Sequence, residues 1–461
     1  MTDFSTILSH IEGLSNGSES ATNEELVNDF ADRLTLDKSL ITENEEETVT
    51  LLQTTVATLM KDNLDIDFAP LITLLDAILS QLSYDTISHQ LDVPYVLEAL
   101  ASPNPNIQII ALKVISKAHP VDIIANTGII HRVFEILSKA ETPVAVVSEA
   151  EGALEVLFRG VLVRRRAMSD STVDVLLDMK ESGDPILVGR VLNILTLLLP
   201  RVESNEAPHN LYQFDILDQK DVLVLLTLIK FYTDVVDITQ THLDKSWLMA
   251  DVVKQIDDIS QLYADRANNI DVEYFAVTSI EELFAKVSYA SPDFFGTLET
   301  KYISIAKQDT FLLSHVNPSF LASNKVNVLK QLKLTIDTIP IFRHLMSDKT
   351  AFDIIQPQLT STQILRLPYL EIMAITSKLT EYEYTVKYLL NELPQVMNKL
   401  LKGDSVIENE TWQLRKLTLE NLMHVPHDVL NVWHAAVQLE YDKIVKGRPV
   451  APQVEVLDDA L

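Results

Sequence analysis

The sequence predicts an all-α protein, a HEAT/armadillo-like helical-repeat solenoid. Glycine is scarce, apolar residues recur at helical spacing along most of the chain, and pairs of such segments repeat with proline or asparagine breaks. Only 10 of 461 residues are glycine, against a usual share of about 7%. Hairpins, bulges and phosphate loops draw on glycine for positive φ, so β structure is disfavoured. Hydrophobic residues make up 47% of the chain, which is enough to bury and too much for wholesale disorder. A repeat array also accommodates the length, because it grows by adding units rather than by enlarging one core.

In chain order, residues 1–25 read as an N-terminal helix followed by a polar linker. The linker, GLSNGSESATNEE over 13–25, is rich in turn residues and has no periodicity. Residues 26–446 read as a single helical-repeat solenoid. Its clearest unit begins at Val93: VPYVLEALAS forms a first helix, PNPN breaks it, and IQIIALKVISKA forms a second. Pro103 and Pro105 are kept out of helix interiors, while Asn104 and Asn106 suit turn or N-cap positions. In the second helix Ile107, Ala111 and Ile115 fall at i, i+4 and i+8, and Ile110, Val114 and Ala118 widen that face.

The plan recurs. Gly128–Ala140 breaks at Glu141–Pro143, Thr172–Ser182 breaks at Gly183–Pro185, and Val272, Ala276 and Ile280 repeat the spacing of Ile107, Ala111 and Ile115. First helices are expected to start at Val93, Gly128, Thr172 and Asp221, at intervals of 35, 44 and 49 residues, around the range of HEAT and armadillo units. Residues 447–461, with two prolines and a closing run of acids, read as a disordered acidic tail.

Composition narrows the function. Cysteine is absent, which removes disulfides, Cys-based zinc sites and Cys nucleophiles and suits a reducing compartment. No basic segment followed by an apolar run opens the chain, and no apolar run approaches the roughly 18 residues of a membrane span. A soluble protein of the cytoplasm, and also of the nucleus, is expected. The formal net charge is -29, from 66 acids and 37 bases. Such a field repels nucleic acid and acidic membranes and favours a basic partner surface, and it also keeps a long array soluble.

Motifs for chemistry are largely missing. G-x-G-x-x-G, a Walker A loop and H-E-x-x-H are absent. Gly13-Leu14-Ser15-Asn16-Gly17 matches G-x-S-x-G by letter, but it lacks the strand-to-helix context of a nucleophile elbow. His424 and His427 flank Pro426, which breaks the helix that would align them on a metal. Arg164-Arg165-Arg166 is the one basic cluster, read as a helix-end cap in preference to a phosphate or partner contact. Residues 364–401 carry Tyr369, Tyr382, Tyr384 and Tyr388 with several carboxylates, read equally as a protein interface or as core packing with hydroxyls at the rim. No catalytic residue, cofactor or metal ligand is assigned.

The segments LRLPYLE (365–371), YEYTVKYLLNELPQVM (382–397) and WHAAVQLEYDKIVKG (433–447) resemble a fungal family of proteasome assembly chaperones. These HEAT-repeat proteins were first described as DNA mismatch-repair factors, and their animal counterpart is a proteasome subunit-like chaperone. IALKVISKAHP (110–120), NTGIIHRVFEIL (126–137) and VLVRRRAM (161–168) are similar too, so the resemblance spans most of residues 85–447. It implies a C-shaped superhelix whose concave face holds the small C-terminal domain of triple-A ATPase subunit one of the regulatory-particle base and touches ATPase subunit two. Holding that pair would aid assembly and block premature docking on the core particle. The resemblance implies no catalysis, no cofactor and no small-molecule ligand.

In such arrays the second helix of each pair usually lines the concave side. Partner contacts are therefore expected at outward positions of those helices: Gln108, Glu149, Arg190, Asn193, Glu273 and Glu281. Tyr369, Glu371, Tyr382, Glu383 and Tyr384 join them from the tyrosine-rich segment. The alternative is a DNA mismatch-repair-associated scaffold acting through protein contacts, since the charge of -29 opposes direct DNA binding. An armadillo-type carrier would need ladders of Trp and Asn, and Trp247, Trp412 and Trp433 stand at unrelated positions.

Overall fold

The computed structural model describes residues 4–37, 44–61, 64, 66–206, 209–402 and 408–446. Among them the chain is helical and contains no strand. Packing divides it into two compact units, Met1–Ile259 and Ser260–Leu461, where the sequence pattern predicts one array over 26–446. The tail expected at 447–461 lies outside the described residues.

In the first unit the helices stack in two rows. One row runs Val93–Ala101, Ile129–Leu137, Asp170–Glu181, each packed on the next. The other runs Pro105–Ser116, Val144–Leu157, Pro185–Leu198, Val222–Thr241, again each on the next. Helices of the second row begin at intervals of 39, 41 and 37 residues, the regularity of a helical-repeat array. Ile107, Ala111 and Ile115 are buried together, as their spacing predicts.

Asp221 departs from expectation, because the helix it opens belongs to the second row. Its carboxylate caps Val222–Thr241 by accepting the N–H groups of Leu223 at 2.7 Å and Val224 at 3.3 Å. The long apolar face of that helix is buried against Pro185–Leu198, and the short helix His209–Tyr212 packs beside Asp170–Glu181 instead.

Near the N-terminus, Phe4–Asn16 packs on Glu45–Leu59 and Glu24–Leu36 on Ala69–Gln81. The linker expected from residue 13 begins only after Asn16. Ile7, Ile11 and Leu14 form one buried stripe that carries the helix on, and Gly17, at φ 78°, takes the left-handed conformation that ends it. Ser15 therefore sits inside a helix, far from the geometry of a nucleophile elbow.

Short helices have many ends, and each leaves backbone groups without an intrahelical partner. Some are met locally: Pro105 opens its helix at the first turn, where its missing N–H costs nothing, and Asn104 accepts the N–H of Asn106 at 2.9 Å. Others are met by a distant repeat. Arg190, expected on an outward face, is only 7% exposed. Its guanidinium donates to the carbonyls of Leu137 at 2.9 Å and Lys139 at 2.7 Å, closing the end of Ile129–Leu137. A guanidinium this buried has little water to turn to, and these carbonyls take that place.

Arg164 donates to the carbonyls of Phe158 at 2.7 Å and Arg159 at 3.1 Å, so the basic cluster caps the end of the preceding helix Val144–Leu157. Gly160 has no side chain with which to cap Val161–Ala167. Asp122, 40 residues earlier, supplies the cap, accepting the N–H groups of Leu162 at 2.9 Å and Val163 at 3.2 Å. A Cβ at position 160 would collide with that same carboxylate oxygen.

The second unit repeats the device. One row runs Val277–Ala290, Thr310–His315, Ile339–Leu345, Tyr369–Leu379, Asn409–Met423, His434–Lys446, each packed on the next. Beside it Pro318–Asn324 packs on Lys349–Ile355, and Ser361–Ile364 on Pro394–Lys402. The Nε2 of His344 meets the Val316 carbonyl at 2.8 Å, and burial holds the imidazole below its ordinary pKa. Arg415, 5% exposed, donates to the Leu400 carbonyl at 3.0 Å and pairs with the equally buried Glu440 at 2.5 Å.

Two expected outcomes follow from these caps. Asp122→Ala and Gly160→Ala should each lower the thermal midpoint by roughly 2–4 °C in a calorimetric scan, the effect of losing about 1 kcal/mol from a unit of this size. A buried neutral histidine contributes fully above the unfolded pKa and loses that contribution as pH falls below about 6.5. His344→Gln should therefore flatten the fall in midpoint between pH 7 and pH 5.

Candidate protein interface

The tyrosine-rich segment forms two short helices and a turn. Pro368 enters Tyr369–Leu379, as the sequence predicts. The next helix, Glu383–Glu392, starts two residues later than expected because Tyr382 is extended, at φ -123° and ψ 145°. The following turn of the array, 41 residues on, packs against this one: the Asn421 side chain donates to the Thr380 hydroxyl at 3.1 Å.

Between the two turns lies an open groove of about 680 Å³. Thr380, Glu381, Tyr382, Glu383 and Val386 contribute from one segment, and Asn421, His424, Val425, Pro426 and Val429 from the other. Its charges are paired along their own helices. Lys378 stands 2.6 Å from Glu381 and 5.1 Å from the centre of the Tyr382 ring. Lys387 stands 2.5 Å from Glu383 and holds that carboxyl below the usual range through their hydrogen bond. Both carboxylates stand beside an aromatic ring and four aliphatic or proline side chains. That mixture of apolar contact with oriented charge suits recognition of another protein's surface.

The four tyrosines take different roles. Tyr382 lines the groove and stacks on Tyr384, with ring centres 5.6 Å apart at 15°. Tyr384 turns its hydroxyl to the Met346 carbonyl at 2.7 Å, and burial pushes its pKa up to about 12. Tyr388 reaches the carbonyls of Gln356 and Leu359, both at 3.2 Å. Tyr369 is half-buried with the Lys399 ammonium 5.2 Å from its ring centre, and Glu371 is half-buried on the same first turn. The structure thus brings Tyr382 and Glu383 to the groove, while Tyr384 tethers one repeat to the last.

All six residues expected on second helices have partners within the chain, and three of them, Glu149, Asn193 and Arg190, tie one repeat to another. Gln108 is half-buried and donates to the carbonyls of Leu100 and Ser102, at 3.4 and 2.9 Å. Glu149 pairs with Lys113 at 3.3 Å, and exposed Asn193 donates to Glu151 at 2.9 Å. Arg190 is the buried cap already described. Glu273 is exposed, with Arg266 at 3.6 Å. Glu281 is half-buried rather than outward: it accepts the Tyr263 hydroxyl at 2.8 Å, and burial raises its pKa against that hydrogen bond.

Asn421, Val425 and Val429 escape the sequence reading, and His424 enters it only as a rejected metal ligand. The one local sign is Pro426, which marks the end of a helix and hence a turn at the array's edge. Among the described residues no group of three or more His, Asp or Glu side chains is placed to hold a metal ion, and no helix is long and apolar enough to cross a membrane.

The fold and the groove define the class: an α-helical repeat protein that presents an open surface of mixed polar and apolar character. Within that class the chain belongs to the family described as DNA mismatch repair protein HSM3. Residues 8–237 match the family's N terminal domain and residues 245–461 its C terminal domain. Relatives named DNA mismatch repair protein HSM3 include one from Eremothecium gossypii, 26% identical over 449 residues and 94% of each chain. Another, from Saccharomyces cerevisiae, is 30% identical over 403 residues, 84% of this chain and 83% of its own. A third, from Kluyveromyces lactis, is 25% identical over 393 residues, 83% of this chain and 84% of its own.

The tether between repeats and the rim of the groove separate by mutation. Tyr384→Phe strands the Met346 carbonyl and should lower the thermal midpoint by roughly 2–4 °C, a loss of about 1 kcal/mol. Glu383→Gln, at a fully exposed rim position, should leave the midpoint unchanged in the same scan.

Proposed function

We propose that this protein is an assembly chaperone for the base of the proteasome regulatory particle. It holds the small C-terminal domain of triple-A ATPase subunit one on its helical-repeat surface and touches ATPase subunit two. In doing so it keeps the ATPase from docking early on the core particle. The observation that carries this reading is the open groove at Tyr382 and Glu383, within the stretch where the resemblance to the chaperones is strongest. Its aromatic, aliphatic and paired-charge lining is suited to another protein's side chains rather than to a small molecule. The role needs neither catalysis nor a cofactor, and the protein acts in the cytoplasm and nucleus.

A second reading follows from the name that the relatives carry: a scaffold associated with DNA mismatch repair. With a net charge of -29, such a role runs through protein contacts rather than through phosphate contacts.

Affinity purification of the tagged protein, with bound proteins identified by mass spectrometry, separates the two. Recovery of ATPase subunits one and two without the core particle is the expected outcome. Recovery of mismatch-repair proteins without any triple-A ATPase would overturn the first reading in favour of the second. Tyr382→Ser with Glu383→Lys should reduce ATPase recovery at least about tenfold, if the groove carries a central part of the contact.

A further inference from the structure

Three large apolar side chains stand out from the second unit at neighbouring positions: Ile270 is 72% exposed, Tyr274 78% and Phe275 60%. Single exposed apolar residues are ordinary, but a cluster of large ones marks a surface that another molecule covers. The backbone explains how they come to be displayed. Val272–Ala276 is wound as a π-helix, with the Val277 N–H donating to the Val272 carbonyl, before Val277–Ala290 continues as an α-helix. Val272, Ala276 and Ile280 are fully buried. The wide turn therefore sets Glu273, Tyr274 and Phe275 side by side in solvent between two core positions. Single π-turns of this kind are frequent at functional sites.

The display is braced from behind. Arg266 lies 4.1 Å over the Tyr263 ring, donates to the Tyr263 carbonyl at 2.7 Å, and reaches to 3.6 Å from Glu273. The Tyr263 hydroxyl in turn holds Glu281. On this segment and the helix that follows, Asp265, Asp271, Glu273 and Glu282 are all exposed, against half-buried Arg266 and exposed Lys286. Pre-organised aromatics with a carboxylate rim favour an occupant of opposite charge and apolar centre.

We infer that Ile270, Tyr274 and Phe275 form a docking surface for a partner protein that presents aliphatic or aromatic side chains ringed by lysine and arginine. A second copy of this chain would set carboxylate rim against carboxylate rim. Nucleic acid and anionic membranes are repelled by the same charges. The inference rests on the proposed function only in taking the occupant to be a protein, and the surface shares no residue with the groove at 380–429.

The test uses the full chain and two probes. The first is a labelled amphipathic peptide of leucine and lysine, with a leucine–glutamate peptide as its control. The second is the purified pair of ATPase subunits one and two. The chain should bind the lysine peptide, less tightly at high salt, and should not bind the glutamate peptide. Tyr274→Ser with Phe275→Ser should weaken that binding at least about fivefold with the thermal midpoint unchanged. Glu273→Gln with Glu282→Gln should weaken it less and flatten its salt dependence.

Absence of peptide binding, or equal binding by the wild type and the aromatic double variant, overturns the inference. So does a wild-type dimer that the double variant converts to monomer, because a second copy would then be the occupant. ATPase binding that is absent from the wild type while the peptide results hold removes the proposed partner and leaves the surface standing. ATPase binding that is present while the peptide results fail removes the surface and leaves the partner.

Discussion

Every end of a short helix carries carbonyl or N–H groups that the helix cannot satisfy for itself, and a chain made almost wholly of short helices must satisfy them many times over. A buried polar group left alone costs about 1–3 kcal/mol, so the placement of partners constrains the whole packing. Here much of the partnering is done across repeats. Asp122 caps a helix 40 residues away, His344 meets a carbonyl 28 residues back, Tyr384 one 38 residues back, and Arg190 one 53 residues back. The apolar rows bring successive repeats into contact. These polar ties select which turn of one repeat lies against which turn of the next.

That division of labour explains what the sequence reveals. The rows are written in local periodicity: Ile107, Ala111 and Ile115 predict a buried face without reference to any other segment, and Asn104 with Pro105 predicts where the helix starts. Fold class and the first repeats were therefore legible. The place of Val222–Thr241 was not, because nothing within a helix states which row it joins. That depends on the stretch before it, where the short helix His209–Tyr212 packs beside Asp170–Glu181.

The site was legible only in part, for a related reason. A polar residue on a second-row helix carries the same letter whether it faces a partner protein or closes a neighbour's helix end. Gln108 and Arg190 do the second, and no spacing rule within their own helices distinguishes the roles. Tyr382 and Glu383 were found because aromatic and acidic residues concentrate there. Their opposite wall, Asn421 to Val429, lies about 40 residues away and is joined to them by the bond between Asn421 and Thr380. The break at Glu383 also came later than expected, since an extended Tyr382 is what lets its ring turn into the groove.

Arg190 has a consequence for how the chain is made. The Leu137 carbonyl receives the Arg190 guanidinium from 53 positions downstream, and the Lys139 carbonyl, already bonded to the Thr142 N–H at 3.0 Å, gains the same guanidinium as a second donor. At a synthesis rate of about 5–20 residues per second, that partner follows roughly 3–10 s later. Until then the Leu137 carbonyl keeps its bond to water, and the tie between this helix end and Pro185–Leu198 waits for the next repeat. This polar tie between repeats is therefore among the contacts that form one repeat behind synthesis.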